Sequence, residues 1–321
     1  FRDEVYSYVA FAREVDRIAS AMTTGGVEAG DRVALALGNR PEFLVAWFAA
    51  ARIGAIEVPL NPTLTERELH HVLCDSGAKW ALAEPAAAAK CRDLGEAGAP
   101  LERIVTLGGA EDPAEDEWAQ LVNAGEVDAR LPEAPASEAP LAILYTSGTT
   151  GSPKGVVLSH ESGVLTGQCT AHMLGTGPAS RIATPNPLFH VNAQFHGALA
   201  AVAGRSSFVL LERFSRSRIL EQVAHYRADV LLLAAAATTM VDSREPDAID
   251  DQTGLRTLLT GGVPPASYRR LEKRFGLRVQ TAYASTETPV AIMAPREEAD
   301  RHATPGVGVP MSNANPGLSL I

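Results

Sequence analysis

The chain predicts an α/β fold with a parallel sheet, and three observations carry that expectation. Residues 31–37 and 55–58 are short apolar stretches of strand type, and residues 41–53 between them have the apolar face and length of a helix. Together they form a βαβ unit, whose parallel strands require a right-handed crossover and further layers of the same kind. The alternation of strand and helix then recurs to residue 281. Finally, glycines stand where apolar strands end, at Gly261-Gly262 above all, which is where open α/β sheets take their ligands.

In chain order, residues 7–22 space Val9, Ala12, Val15, Ile18 and Met22 for an amphipathic helix that Gly25 and Gly26 end. Asn39 is the expected N-cap of the 41–53 helix and Gly54 its stop. Thr65-Glu66-Arg67-Glu68 reads as a capping box opening a helix to Gly77, and residues 79–82 as the next strand. Residues 85–140 are rich in Ala, Glu and Pro. One strand is legible there, at 103–107, and the acids from Glu111 to Glu138 read as a solvated face and linker. Strands at 141–144 and 156–158 follow, then a helix over 160–173 capped by Ser159 and a strand at 181–184. Prolines 185 and 187 impose a turn over 185–193 that presents Phe189 and His190. The remaining expected elements are a helix at 215–226, strands at 230–233 and 255–260, a helix with a basic, solvated face at 266–275, and a strand at 278–281.

Composition narrows the function. A chain of 321 residues, 46% hydrophobic and 21% charged, is globular and long enough for two or three structural units. Its formal net charge of −10, without a Lys/Arg cluster, argues against a nucleic-acid-binding surface. Cys74, Cys91 and Cys169 lack C-x-x-C spacing and read as reduced thiols of a cytoplasmic protein. The longest apolar run, 230–237, is far short of the roughly 20 residues of a membrane span. No signal peptide is evident. The chain does not start with Met and stops within an apolar stretch, so it is expected to be a fragment.

The most informative stretch runs from Tyr145 to Gly155 and reads Tyr-Thr-Ser-Gly-Thr-Thr-Gly-Ser-Pro-Lys-Gly. Gly148, Gly151 and Gly155 permit positive φ and close backbone approach, so N–H groups can converge on an anion. Thr146, Ser147, Thr149 and Thr150 add hydroxyl donors, and Lys154 adds a mobile positive charge. A Walker A loop is excluded, because Lys154 follows Pro153 and precedes Gly155. The flanking strands make the stretch a hairpin tip that holds phosphate. Glu287, after the 278–281 strand, could hold the magnesium that a triphosphate brings, Tyr283 could stack on a base, and Thr286 could donate to a phosphate. Taken alone, Thr286-Glu287 also reads as a capped helix start. His190, alone beside apolar residues, reads as structural unless the other motifs converge on it.

Taken in order, Tyr145 to Gly155, Pro187-Leu188-Phe189-His190, Gly261-Gly262-Val263-Pro264, Tyr283-Ala284-Ser285-Thr286-Glu287 and Gly306-Val307-Gly308-Val309-Pro310 resemble the motifs of the adenylate-forming superfamily, the AMP-dependent synthetases and ligases. Gly30-Asp31-Arg32-Val33 and Val58-Pro59-Leu60-Asn61-Pro62 extend the resemblance over nearly the whole chain. It implies the large amino-terminal domain: two α/β subdomains in a layered sheet sandwich (1–140 and 141–300), the start of a β-barrel subdomain (301–321), and no carboxyl-terminal domain. The implied reaction converts ATP and a carboxylate to acyl-adenylate and pyrophosphate, then forms a thioester with coenzyme A. Carried over by position, Thr146, Ser147, Gly148, Thr149, Thr150 and Lys154 would bind the β- and γ-phosphates. Thr286 would contact the α-phosphate, Glu287 would hold Mg²⁺, Gly262, Val263 and Tyr283 would flank adenine, and His190 would gate the carboxylate pocket. Electrostatic stabilisation of an in-line displacement then suffices, without a protein nucleophile.

Two departures, Ala284 for a glycine and Val263 for a frequent alanine, bear on substrate space. The family's ribose-binding aspartate and catalytic lysine belong beyond Ile321, so this piece is expected to be poorly active. Amino-acid-activating relatives carry an aspartate near the Phe189-His190 position. Here Val191, Asn192 and Ala193 stand there, which favours a non-amino acid. The text from Pro187 to Gln194 and from Arg213 to Arg218 looks most like the acyl-coenzyme A synthetase branch that includes crotonobetaine/carnitine-coenzyme A ligases. The expected partner is a small carboxylate, with neither nucleic acid nor a membrane span, and a homodimer is compatible with the resemblance. Two alternatives stay open: an adenylation domain that loads a carrier protein, and a nucleotide-binding protein without turnover if the gene ends here.

Overall fold

The computed structural model describes residues 1–146, 151–289, 292–293 and 309–310. The chain divides into two compact units, Phe1–Glu161 and Ser162–Ile321.

The first unit opens with α1 (Tyr8–Thr24), capped by Ser7, whose Oγ accepts from the Ala10 N–H at 3.1 Å. Its buried stripe includes Val15, Ile18 and Met22, at the spacing that the sequence predicts. Next come β1 (Arg32–Ala36), α2 (Pro41–Arg52) and β2 (Ile56–Pro59), and β1 and β2 pair in parallel as the βαβ reading requires. Asn39 is not the cap of α2. Arg40 takes that position without a side-chain cap bond, its guanidinium held by Glu42 and Glu84, while Pro41 begins the helix at a place that needs no donor. α3 (Glu66–Ser76) has the expected capping box in full and ends at Gly77, whose φ of +64° is left-handed.

β3 (Trp80–Ala83), α4 (Pro85–Glu96), β4 (Arg103–Thr106) and α5 (Glu117–Ala124) follow. The two helices were not legible in a segment dominated by Ala, Glu and Pro. Two of its acids are structural rather than solvated. Asp116 caps α5 through the Ala119 N–H and accepts from the Gly108 N–H, and Glu117 accepts from the Thr106 N–H. β5 (Pro140–Thr146) and β6 (Lys154–Ser159) complete a six-stranded sheet ordered β4-β3-β1-β2-β5-β6, in which only β6 is antiparallel to its neighbour. Because β5 pairs with β2, with Glu57 opposite Ala142, the hairpin belongs to the first sheet. The first compact unit accordingly runs through the hairpin to Glu161, whereas the sequence reading starts a subdomain at residue 141. Val58, Val72, Leu73 and Ala81 lie together in one core cluster of this unit.

The second unit contains most of α6 (His160–Leu174), then β7 (Arg181–Thr184), a π-helix (Asn192–Leu199) continuing as α7 (Ala200–Gly204), β8 (Ser207–Leu210), α8 (Ile219–His225), β9 (Val230–Leu232) and α9 (Ala235–Asp242). β10 (Thr257–Thr260), α10 (Pro265–Phe275), β11 (Arg278–Tyr283), β12 (Ile292–Met293) and β13 (Val309–Pro310) complete it. The apolar run 230–237 holds a strand end and a helix start together, a break that hydrophobicity alone does not mark. The sheet order is β13-β12-β11-β10-β9-β7-β8, parallel from β8 to β11 and antiparallel beyond. Of the expected barrel segment, only Val309–Pro310 is among the described residues.

Ile219, Leu231, Leu258, Leu271 and Val279 lie together in one core cluster of this unit. α10 is less solvated than its four basic residues predict: Arg274 is nearly buried and donates from Nε to Asp250 Oδ2 at 2.8 Å, and Arg270 pairs with Asp242. Among the described residues no helix is long and apolar enough to cross a membrane.

Candidate functional site

In the first unit the predicted phosphate loop closes a β-hairpin, as its apolar flanks require. Tyr145 lies opposite Gly155, and Thr146 opposite Lys154. Ser147, Gly148, Thr149 and Thr150 lie outside the described residues. Thr146 is half-buried, Lys154 is exposed, and Gly151 has a φ of +137°, conformational freedom that a side chain would lack. Gly155 serves a different purpose from the one its loop position suggests. Its φ is not positive; a Cβ there would stand 2.7 Å from Ile143 Cγ2 and 3.0 Å from the Tyr145 ring, so the glycine makes room for that ring across the strand pair. The Tyr145 hydroxyl donates to Asp75 Oδ2 at 2.6 Å, and burial and that carboxylate raise the phenol's pKa.

In the second unit the motifs gather at the carboxyl ends of neighbouring parallel strands. β10 and β11 run in register, with Thr260 opposite Thr281, so the Gly261–Val263 turn and the segment from Tyr283 to Glu287 emerge side by side. A Cβ on Gly261 would lie 2.6 Å from the Ala282 carbonyl oxygen, so only glycine lets the two segments approach this closely. Gly262 has a φ of +73° and is exposed. The Val263 side chain is buried in the core, so only its backbone faces outward to a ligand.

Ser285 and Thr288 close a turn by mutual backbone hydrogen bonds, and no helix starts at Thr286. Thr286 is half-buried and Glu287 exposed. The Glu287 carboxylate is held below its ordinary range by its own backbone N–H and by the Ser285 hydroxyl, so it is ionised at neutral pH.

Strands β7 and β9 contribute to the same edge. Buried Asn186, just past β7, accepts from the Ala234 N–H at 3.1 Å and donates to Asn192 Oδ1 at 2.5 Å, which fixes the turn carrying His190. The His190 ring packs on Phe189, with centroids 4.5 Å apart, and desolvation holds its pKa below the ordinary imidazole value although the residue is exposed. The His190 carbonyl accepts from the Ala193 and Gln194 N–H groups at the entry to the π-helix, a helix form frequent at functional sites.

Two residues of that helix escaped the sequence reading. His196 is buried, bonds through Nδ1 to Thr170 Oγ1 at 2.8 Å, and is also hydrogen-bonded to the Pro289 backbone. It therefore ties the helix that follows His190 to the segment that follows Glu287. Gln194 is fully buried, and among the described residues neither amide atom has a hydrogen-bond partner. The only local signal was the polar pair Gln194 and His196 within an otherwise small and apolar run.

The family is decided by comparison with known sequences, for the model described as "AMP-binding enzyme" matches residues 1–318. The chain belongs to this family. It is 32% identical over 309 residues to a crotonobetaine/carnitine–CoA ligase of Escherichia coli O7:K1, covering 94% of this chain and 59% of the relative. The chain thus spans about three-fifths of the length of such curated relatives. Among solved family structures, the inhibitor-bound N-terminal domain of FACL13 from Mycobacterium tuberculosis is 26% identical, with a TM-score of 0.83 over 94% of this chain and 74% of that one. ATP-bound MatB from Rhodopseudomonas palustris is 25% identical, with a TM-score of 0.82 over 92% of this chain and 57% of that one. These likenesses establish the adenylate-forming fold and an acyl-CoA ligase kinship.

Proposed function

We propose that the protein to which this chain belongs is an ATP-dependent carboxylate–CoA ligase, which makes an acyl-adenylate and then a thioester. The observation that carries this reading is the Gly261–Val263 turn lying beside the turn that bears an ionised Glu287, within a chain that also holds the phosphate-loop hairpin. Thr146, Ser147, Gly148, Thr149, Thr150 and Lys154 would bind the β- and γ-phosphates, and Thr286 the α-phosphate. Gly262, Tyr283 and the Val263 backbone would flank adenine, and His190 would border the acyl pocket.

Glu287 fits Mg²⁺. Among the described residues no group of three or more His, Cys, Asp or Glu side chains could cage a metal. One ionised carboxylate that shares the ion with substrate phosphates is the usual manner of Mg²⁺ binding. Bound there, Mg²⁺ would supply charge neutralisation at phosphate oxygens. Lys154 and the loop hydroxyls hold the triphosphate tail, Thr286 donates at the phosphate that reacts, and His190, neutral at working pH, orients the carboxylate without competing for its charge.

No acid stands between Asn186 and Gln194, so nothing in that segment would pair a substrate ammonium, which favours a non-amino acid. The crotonobetaine/carnitine–CoA ligase relatives support the same branch. Carboxylate-dependent ATP–pyrophosphate exchange by the full-length protein tests the proposal. Lys154→Ala and Glu287→Ala should each lower it by about a hundredfold or more, in the range seen on removing one transition-state donor. Wild-type exchange in both variants would refute the assignment.

A further inference from the structure

The base of the phosphate-loop hairpin is gripped from outside the loop by a single helix. On α3, His71 and Asp75 stand four residues apart and so face the same way. The Tyr145 hydroxyl on β5 donates to Asp75 Oδ2 at 2.6 Å, and His71 Nε2 donates to the Pro153 carbonyl, next to the first residue of β6, at 2.9 Å. One helix thus holds both arms of the hairpin beside its last pair, Thr146 opposite Lys154. The helix itself is fixed at both ends. The Thr65–Glu68 capping box closes its start, and Arg32 on β1 donates from Nε to the Ser76 carbonyl at 2.7 Å and from Nη2 to the Gly77 carbonyl at 2.9 Å. Leu69, Val72 and Leu73 bury its inner face. Gly155 completes the arrangement, since the Tyr145 ring lies where any side chain at 155 would stand.

We propose that His71 and Asp75 are positioning residues of the ligase reaction: they set the spacing of the two arms at Tyr145–Thr146 and Pro153–Lys154, and through them the Thr146 hydroxyl and the Lys154 ammonium that would hold the triphosphate. The inference rests on the reading of the loop given under Proposed function. Both act through backbone and phenol, Asp75 on the Tyr145 hydroxyl and His71 on the Pro153 carbonyl. Asp75 is exposed and His71 half-buried, so the two bonds lie at the rim, where their loss disturbs loop geometry more than the core. The phenol's raised pKa keeps it a donor throughout the working range.

The test is pyrophosphate exchange by the full-length protein, with melting temperature measured in parallel. His71→Ala, Asp75→Ala and Tyr145→Phe should each lower kcat/KM for ATP about ten- to a hundredfold, the scale of a misplacement of roughly 1 Å, with melting within about 2 °C of wild type. His71→Gln, which keeps a donor, and Asp75→Asn, which keeps an acceptor, should recover most of the activity; a merely structural role would not produce that split. Because Tyr145 and Asp75 touch, the double variant Tyr145→Phe/Asp75→Ala should lose little more than either single one. Alanine variants with wild-type kcat/KM, conservative variants as poor as the alanines, or losses that track melting temperature would each overturn the proposal. Lys154→Ala separates the two levels. If it too is silent, the phosphate reading of the loop fails; if it is impaired while the α3 variants are not, only the positioning role fails.

Discussion

His196 makes the second unit's stability depend on pH in a way that can be calculated. Burial pushes its pKa from 6.5 down to about 4, despite the opposing hydrogen bond to the Pro289 backbone. In the window between those values the unfolded chain binds a proton that the folded chain refuses, so stability falls as pH falls from 6.5 and levels off below 4. At pH 5.0 the imbalance amounts to about 2 kcal/mol, from the ratio of the two titration polynomials at 25 °C. For a unit of this size that corresponds to roughly 4–8 °C in melting temperature. The assay is thermal melting of wild type and His196→Gln at pH 7.5 and pH 5.0. Gln is neutral at both values, so the variant should lose about 2 kcal/mol less than wild type over the same interval, whatever its absolute stability. Equal losses in the two proteins would refute a buried neutral His196.

Three further outcomes follow from packing. Asp250→Ala leaves the nearly buried Arg274 guanidinium without its bidentate partner and should destabilise the second unit by about 3–5 kcal/mol, read by urea denaturation. Gly261→Ala forces a Cβ toward the Ala282 carbonyl, 2.6 Å away, and should cost about 1–3 kcal/mol while weakening ATP binding measured by calorimetry, because two backbone segments must separate. Of the three cysteines only Cys74 is exposed, and burial pushes the Cys91 thiol up to about 11, so an aromatic disulfide reagent should titrate one thiol rapidly in the native protein and three after denaturation.

What could be read in the sequence was what local chemistry encodes. The capping box at Thr65 and Glu68, the hairpin between two apolar strands, and glycine at the end of β10 each depend on residues a few positions apart, and each is present. α4 and α5 were hidden because their buried faces are thin, Ala88 and Cys91 in one and Leu121 in the other, so no apolar periodicity marks them even though Ala and Glu favour helix. Asn39 lost the cap of α2 to Arg40 because Pro41 already begins that helix without an unpaired donor. The contacts of the candidate site that span the chain left no local mark: Asp75 meets Tyr145, and His196 meets Thr170, only because helices and strands are already placed. Gly155 shows the limit most plainly, since its text suggests backbone freedom and its surroundings require empty space.

The insertion of β5 beside β2 has a consequence for how the first unit assembles. The β5–β6 hairpin can form by itself on the scale of roughly 1–10 μs. Its register with β2, Glu57 against Ala142, closes a long stretch of chain that includes β3, β4 and three helices, and parallel closure of that kind is slow. During synthesis, at about 5–20 residues per second, β1 to β4 have time to pair before the hairpin is made. The hairpin that carries the proposed phosphate loop is therefore expected to be the last part of its sheet to gain a foundation, once β2 and α3 are in place to receive it.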